Sequence, residues 1–415
     1  MSAVLYSFWM RFKAWWASTK ARTHLYRVQQ EGDCFWSLDV LLLVAGLPST
    51  LTSQWSNERC IRYSTICLFV IQAIMYILQA IHVVILKKEA SFILMEGVKA
   101  SSIVLIILKM VVMVRLREPI ACVRSFINSS CVSSGDEAYD GHELNKFNRS
   151  ATTMLRVIFG FIAVDTVLIM IPNNTTQAVF ELPLQMLGVA KQESLIVHVL
   201  FLGLLPLGMG LKASTNMASI GTLLMGMRAK LKILAHRFEL TSLRSYLDEA
   251  HYLEHLELEV REIYDQHLEY WRHLKILKTM IEEAFCLVHF FSIYAIGTMF
   301  YVSKIMGINT MSAMIIASMA CLLLEYYMWC RLVDSLQEEA EPIGLHICQI
   351  CTRMPFSRKN ASQYIQLRTS LMIIWINTRN GLTMDCLGLF QISTTGFVGL
   401  LNIVYTVLTF LIEMN

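Results

Sequence analysis

Seven stretches of the chain are long and apolar enough to cross a lipid bilayer, and no other property of the sequence restricts its fold so strongly. They run over 63–86, 92–114, 152–171, 193–212, 283–303, 310–330 and 386–412. A spanning helix needs about 20 mostly apolar residues. The expected fold class is therefore all-α, a seven-transmembrane-helix membrane protein forming one domain over 1–415. Composition points the same way. Hydrophobic residues make up 55% of the chain and charged ones only 16%, whereas a soluble chain carries about a quarter charged residues. Such a chain lacks the polar surface to cover its apolar groups and must turn much of itself to membrane lipid. A further apolar run, 38–48, is too short to span, ends in Gly46-Leu47-Pro48, and is expected to lead into the first helix along the membrane surface. Gly396 and Gly399 interrupt the start of the last span, so its first turns are expected to pack closely on neighbours.

Basic residues fix the orientation. Segments 1–58, 115–150, 226–280 and 331–380 hold about 25 of them, against Lys87, Lys88, Lys191 and Lys304 in the opposite loops. Lys and Arg concentrate on the cytoplasmic side, which puts the N-terminus in the cytoplasm and the C-terminus outside. The first 35 residues show no cleavable signal; Arg11, Lys13 and Lys20 among Trp9, Trp15 and Trp16 suggest an amphipathic segment lying on the membrane. Asn173 and Asn174 form sequons in an expected outer loop, while those at Asn128, Asn148 and Asn360 fall on the cytoplasmic side. The cysteines sit in or beside apolar segments and read as reduced, buried thiols. A net charge of +3 is too small to suggest a nucleic-acid partner. Region 226–280 alternates charge densely with leucines at helical spacing, and 336–380 is similar, so spans four and five are expected to project past the membrane as a cytoplasmic anchor bundle.

Candidate chemistry weighs lightly. His251, Glu254 and His255 match the H-x-x-E-H pattern of some zinc peptidases, but no third ligand is evident and a solvated helix face explains them better. His346, Cys348 and Cys351 lack the second half of a structural zinc site. No cofactor and no enzymatic activity are expected. Ionisable residues inside spans are more informative, because each is costly unless it meets protein or water. Glu96 and Lys99 can pair on one face of span two, and Asp165, His198, Lys212 and Glu325 complete the set. These side chains either pair structurally or line a cavity. In the last span Leu401, Val404, Leu408 and Leu411 form one stripe, and Tyr405, Leu408 and Ile412 an overlapping one. The default reading is helix–helix core. Several copies meeting on an axis would make a hydrophobic constriction instead, with Glu413 at its mouth favouring cations.

Several segments, taken in order, resemble a known family. Asn380-Gly-Leu-Thr-Met-Asp-Cys-Leu-Gly-Leu-Phe390, followed by Phe397-Val-Gly-Leu-Leu-Asn-Ile-Val-Tyr405-Thr-Val-Leu-Thr409, is similar to the last helix of insect odorant receptors. The stretch Ala213 to Leu234 resembles the inner end of that family's span four. Ile263-Tyr-Asp-Gln-His267 and Glu282-Glu-Ala-Phe285 look like its lead into span five, and Gly46-Leu47-Pro48 fits its start. The resemblance covers the whole chain in layout.

What the resemblance implies is an odorant-binding tuning subunit of a ligand-gated, non-selective cation channel, joined to an odorant receptor co-receptor as a heterotetramer. Its home would be the plasma membrane of olfactory sensory neurons, and its ligand a small volatile organic molecule. The family's pocket lies in the outer half among spans two, three, four and six. Counting helix depth, this implies Met95, Glu96, Phe161, Asp165, His198, Phe201, Leu205, Ala317, Ala320 and Cys321 as ligand-binding residues. The cavity should be closed and mostly apolar, with one or two polar groups. The last helix lines the pore, which implicates Tyr405, Leu408, Leu411 and Ile412; Leu408 falls at the family's gate. Leu411 stands where the co-receptor and gustatory relatives place a glutamine, which favours a tuning subunit. The gustatory receptors of the same superfamily are the alternative, but of their Thr-Tyr and Gln-Phe pairs only Tyr405 survives here. A G-protein-coupled receptor would have the opposite orientation.

Overall fold

The computed structural model describes residues 35–47, 58–85, 90–170, 201–243, 252–307, 310–356 and 360–413. The chain divides into two units, Met1–Trp36 and Ser37–Asn415. The described part of the second unit is nearly all helical. In chain order come α1 (Trp36–Val44), α2 (Glu58–Ile85), α3 (Ala90–Arg115), α4 (Arg117–Asn128) and α5 (Glu137–Met170). Then come α6 (Leu211–Leu243), α7 (Tyr252–Met306), α8 (Thr310–Glu338), α9 (Glu341–Arg353), α10 (Ala361–Gly381), strands β1 (Asp385–Cys386) and β2 (Phe390–Gln391), and α11 (Thr394–Glu413).

The long helices carry their polarity inside out. On α2 the buried stripe is Gln72, Ala73, Tyr76, Gln79 and Val83, while Val70, Ile71, Ile74, Ile77, Ile81 and Val84 are exposed. A helix in water would bury the second set and expose the first. On α3 the same holds: Glu96 and Lys109 are buried, and Val104, Ile107, Val111 and Val114 face outward. Among the described residues, five helical segments suffice by length and composition to cross a membrane, namely Glu58–Ile85, Ile93–Arg115, Glu137–Val167, Tyr252–Ile305 and Ile315–Arg353, with Thr394–Thr406 a shorter apolar helix.

Two segments expected to span differ from simple helices. The first part of 193–212, residues 193–200, lies outside the described residues; from Phe201 the chain passes through a wider π turn at Pro206–Gly210 into α6. Proline there cannot supply the backbone N–H of a regular helix, and π turns often mark functional sites. The last helix does not begin at 386. Asp385 pairs with Gln391 and Cys386 with Phe390 in an antiparallel hairpin. Its turn closes through the Leu389 N–H and the Cys386 carbonyl at 2.9 Å, with Leu387 at φ +50° and Gly388 at φ +72°. Two consecutive positive φ values make the turn that hairpin twist favours, and a glycine adopts its half without strain. Apolar composition alone reads the same in a strand as in a helix, so the span appears longer in sequence than it is. From Thr394 the helix runs unbroken through Gly396 and Gly399.

The short apolar run folds as α1 and ends at Gly46, φ +84°. The Gly46 N–H reaches the Leu43 carbonyl at 3.0 Å and the Leu47 N–H the Leu42 carbonyl at 2.8 Å, the two bonds of a Schellman cap. Asp39, fully buried on α1, takes a two-pronged pair from Arg124 of α4, both contacts at 2.8 Å.

Helix α6 is central. It packs on α3, α4, α5, α7, α8 and α9 and buries Leu223, Leu224, Met227, Leu231, Leu234 and Phe238. Helix α7 has 55 residues, about 80 Å at 1.5 Å per residue, far beyond the ~30 Å of hydrocarbon. Its charged first half packs against α4 and α10. There His267 shares a hydrogen bond with the Thr378 hydroxyl at 3.0 Å and stacks on Trp271. Burial pushes its imidazole down to about 4 from the ordinary 6.5. Helix α9 buries Ile343, Ile347 and Ile350, leaves Cys348 exposed and Cys351 half-buried, and packs on α6 and α10. Among the described residues no group of three metal-ligating side chains converges; His251 lies outside them.

Candidate functional site

A cavity of about 860 Å³ lies where α3, α5 and α8 face one another beside the start of α6. Helix α3 contributes Met95, Val98, Lys99, Ser102, Leu105 and Lys109, an i, i+3, i+4 stripe. Helix α5 contributes Arg149, Thr153, Val157, Phe161, Ile162 and Asp165, and α8 contributes Ser318, Cys321, Leu322, Glu325 and Met328. The π turn puts Met209 and Gly210 on the wall, with Leu205 just before it, α2 supplies Tyr76, and α7 supplies Phe291 and Met299. Both the volume and the mixture of apolar wall with a few polar groups suit a small organic ligand.

Charge inside the cavity is arranged in pairs. Lys109 donates to both oxygens of Glu325, at 2.7 and 3.0 Å, and to the Ala213 carbonyl at 2.9 Å. Lys99 is ion-paired with Glu96 one turn away. Asp165 differs: its Oδ1 accepts a hydrogen bond from Ser318 Oγ at 3.0 Å, and among the described residues no cation stands against it. Desolvation makes an unpaired ion expensive, so the two lysines must be held by these carboxylates for the helices to pack.

The residues expected from the sequence divide by helical phase. Met95, Phe161, Asp165, Leu205 and Cys321 line the cavity. Glu96, Phe201, Ala317 and Ala320 are not among its lining residues. Glu96 is one residue, about 100° of helix, off the α3 stripe and serves Lys99. Phe201 is buried edge-on against Tyr76, ring centroids 5.4 Å apart. Ala320 is exposed and Ala317 half-buried, because α8 turns Ser318 and Cys321 inward instead. His198 lies outside the described residues. Sequence reasoning missed Lys109, Ser318 and the α7 wall. Lys109 had a usable signal: it and Glu325 are opposite charges in separate apolar spans, and each needs a partner.

From the cavity α8 leads directly to α11. Asp334, six residues past the cavity residue Met328, accepts from the Thr394 N–H at 2.8 Å and from its hydroxyl at 2.6 Å. A carboxylate there satisfies an orphan amide and opposes the positive end of the helix dipole. Beside it, Tyr326 and Tyr327 pack on Phe397 of α11, at 6.0 and 5.6 Å. His289 of α7 shares a 2.9 Å hydrogen bond with the Tyr326 hydroxyl and lies 4.3 Å from the Phe390 ring in the hairpin. On α11, Val404 is buried while Leu401, Ile403, Tyr405 and Phe410 are exposed. The side chains of Leu408, Leu411 and Ile412 lie outside the described residues.

No protein-family model matches the chain, and no curated protein matches it in sequence. Solved structures do match. The insect olfactory receptor OR5 of Machilis hrabei superposes with a TM-score of 0.70 at 11% identity, covering 95% of this chain and 99% of that one. The same receptor in complex with eugenol gives a TM-score of 0.66 at 12% identity, covering 91% of this chain and 97% of that one. Over almost its whole length, then, this chain has the fold of an insect olfactory receptor.

Proposed function

We propose that the chain is an odorant-binding subunit of a ligand-gated cation channel of the insect odorant receptor family, working with a co-receptor in a heterotetramer. The observation that carries the proposal is the cavity among α3, α5 and α8, within a fold shared with a receptor solved in complex with a small aromatic, eugenol. In this reading the chain crosses the plasma membrane of a sensory neuron seven times, N-terminus cytoplasmic. The charged halves of α6 and α7 with α9 and α10 form the anchor, and α11 lines the pore through Tyr405, Leu408, Leu411 and Ile412. A ligand opens the channel by binding the open form better than the closed one. The contacts from α8 through Asp334, Tyr326 and Tyr327 to α11 supply a route by which the cavity biases that helix.

Whole-cell recording tests this. Cells expressing the chain with an insect co-receptor should give a cation current when challenged with a panel of volatiles, and cells expressing the chain alone should not. Silence under both conditions, with both chains at the cell surface, contradicts the proposal.

A further inference from the structure

We infer that the cavity selects ligands bearing a protonated amine, with the Asp165 carboxylate as the anion that meets it. The inference rests on the receptor reading above and names its ligand class.

The lysine ammoniums of the cavity are already engaged, Lys109 by Glu325 and the Ala213 carbonyl and Lys99 by Glu96. An anionic ligand would have to break one of those pairs. Asp165 carries the complementary deficit: one oxygen accepts from Ser318, and the other has no partner among the described residues. Arg149, the remaining cation on the wall, sits 16 positions earlier on α5, about 24 Å along the helix axis, too far to neutralise it. A carboxylate on an apolar wall is poorly solvated, and a cation brought to it relieves that cost while gaining a charge-assisted hydrogen bond.

The surroundings suit a small ammonium with an apolar body. Phe161 lies one turn before Asp165 on the same face of α5 and also lines the cavity; an aromatic face near a carboxylate is a recurrent way to hold a cation. Ile162, Leu322 and Met299 offer apolar wall for the rest of the molecule. A neutral alcohol of the same shape keeps the apolar contacts but offers only an ordinary hydrogen bond to Asp165. Charge, not shape, then separates the two ligands.

The test compares straight-chain primary amines from butylamine to decylamine, and phenethylamine, each with its alcohol counterpart. It uses wild type and Asp165→Asn, in co-expressing cells and as purified full chain in a thermal-stabilisation assay. Asn is isosteric and can still accept from Ser318, so folding should survive. In wild type at least one amine should act at a concentration about tenfold or more below its alcohol. In the variant that advantage should vanish while the alcohol response stays. Equal responses to amine and alcohol in wild type, or a variant that weakens both alike, overturns the inference and leaves the receptor reading intact. Amine stabilisation of the purified chain that depends on Asp165, without any evoked current, upholds the inference and counts against the receptor reading. If no amine stabilises the purified chain, the inference is wrong whatever the currents show.

Discussion

The cavity half of the molecule and the charged half use the same amino acids in opposite ways. Around the cavity ions are few, and both lysines are held by carboxylates, Lys99 by Glu96 and Lys109 by Glu325, with Lys109 1% exposed and Glu325 15%. In the charged half they are many and wet, as with Arg331 and Glu338, whose side chains are 46% and 52% exposed despite good geometry. The apolar residues reverse too. On the helices around the cavity many of them face outward, as Val104, Ile107 and Val111 of α3 do, whereas on α9 and the first half of α7 Ile343, Ile347, Leu256 and Ile263 are all buried. The lesson is that solvent decides what an interaction is worth. A buried ion pair has no water to fall back on, and one in water has little to lose.

Substitutions that break each kind of pair should therefore separate widely. The largest effect expected is at Lys109 or Glu325. Removing either by Lys109→Ala or Glu325→Ala strands a buried charge and should cost about 3 kcal/mol or more, read as unfolding in detergent. Replacing both at once with Met and Leu should be milder than either single change, because no charge is then left unpaired. If the double variant is as unstable as the sum of the singles, buried pairing is not what holds α3 to α8.

Acid should act on the other half. His267 is held neutral by burial, with a folded-state value near 4 against 6.5 when unfolded. The unfolded chain binds the extra proton between those values, so the stabilisation is present in full above about pH 6.5 and is lost as pH falls towards 4. The loss is on the order of 3 kcal/mol at the lower end. Hydrogen exchange should show α10 and the first half of α7 opening, and His267→Gln should remove that pH dependence. Uniform opening of every helix would mean the two halves do not differ in this respect.

Asp334→Ala, at the junction of α8 with α11, should cost about 1–2 kcal/mol, the usual value of a helix cap. It should also raise the ligand concentration needed for half-maximal current, measured on channels at the cell surface. The smallest effect belongs to Arg331→Ala, which exchanges one wet ion pair for hydration. Its melting temperature should match wild type within error, and a large drop would show that exposed pairs here matter more than their solvation implies.

The elements were legible where composition is decisive. The expected spans 63–86 and 92–114 correspond to α2 and α3, and the long charged region joining 283–303 is one helix because nothing in 252–306 breaks its period. What could not be read was rotation. A helix that is apolar all round gives no moment to say which stripe faces inward, so Met95 and Cys321 fall on the cavity while Glu96 and Ala320, one residue away, do not. The hairpin at 385–391 was hidden for a related reason. Between Asp385 and Gln391 its residues are as apolar as a span, and only Gly388 hints at a turn. Partners across helices, such as Ser318 for Asp165, depend on tertiary approach and leave no mark in local sequence.

In the proposed function, occupancy of this cavity controls a current. Ile162 lines it from α5, between Phe161 and Asp165 in height, and Ile162→Trp would fill space a ligand needs. The decisive measurement is the concentration–response curve of a volatile active on wild type, recorded for this variant with the co-receptor and normalised to surface expression. The evoked current should be lost, or its half-maximal concentration should rise about tenfold or more. An unchanged curve from a normally expressed variant would place the ligand elsewhere and contradict the proposed function.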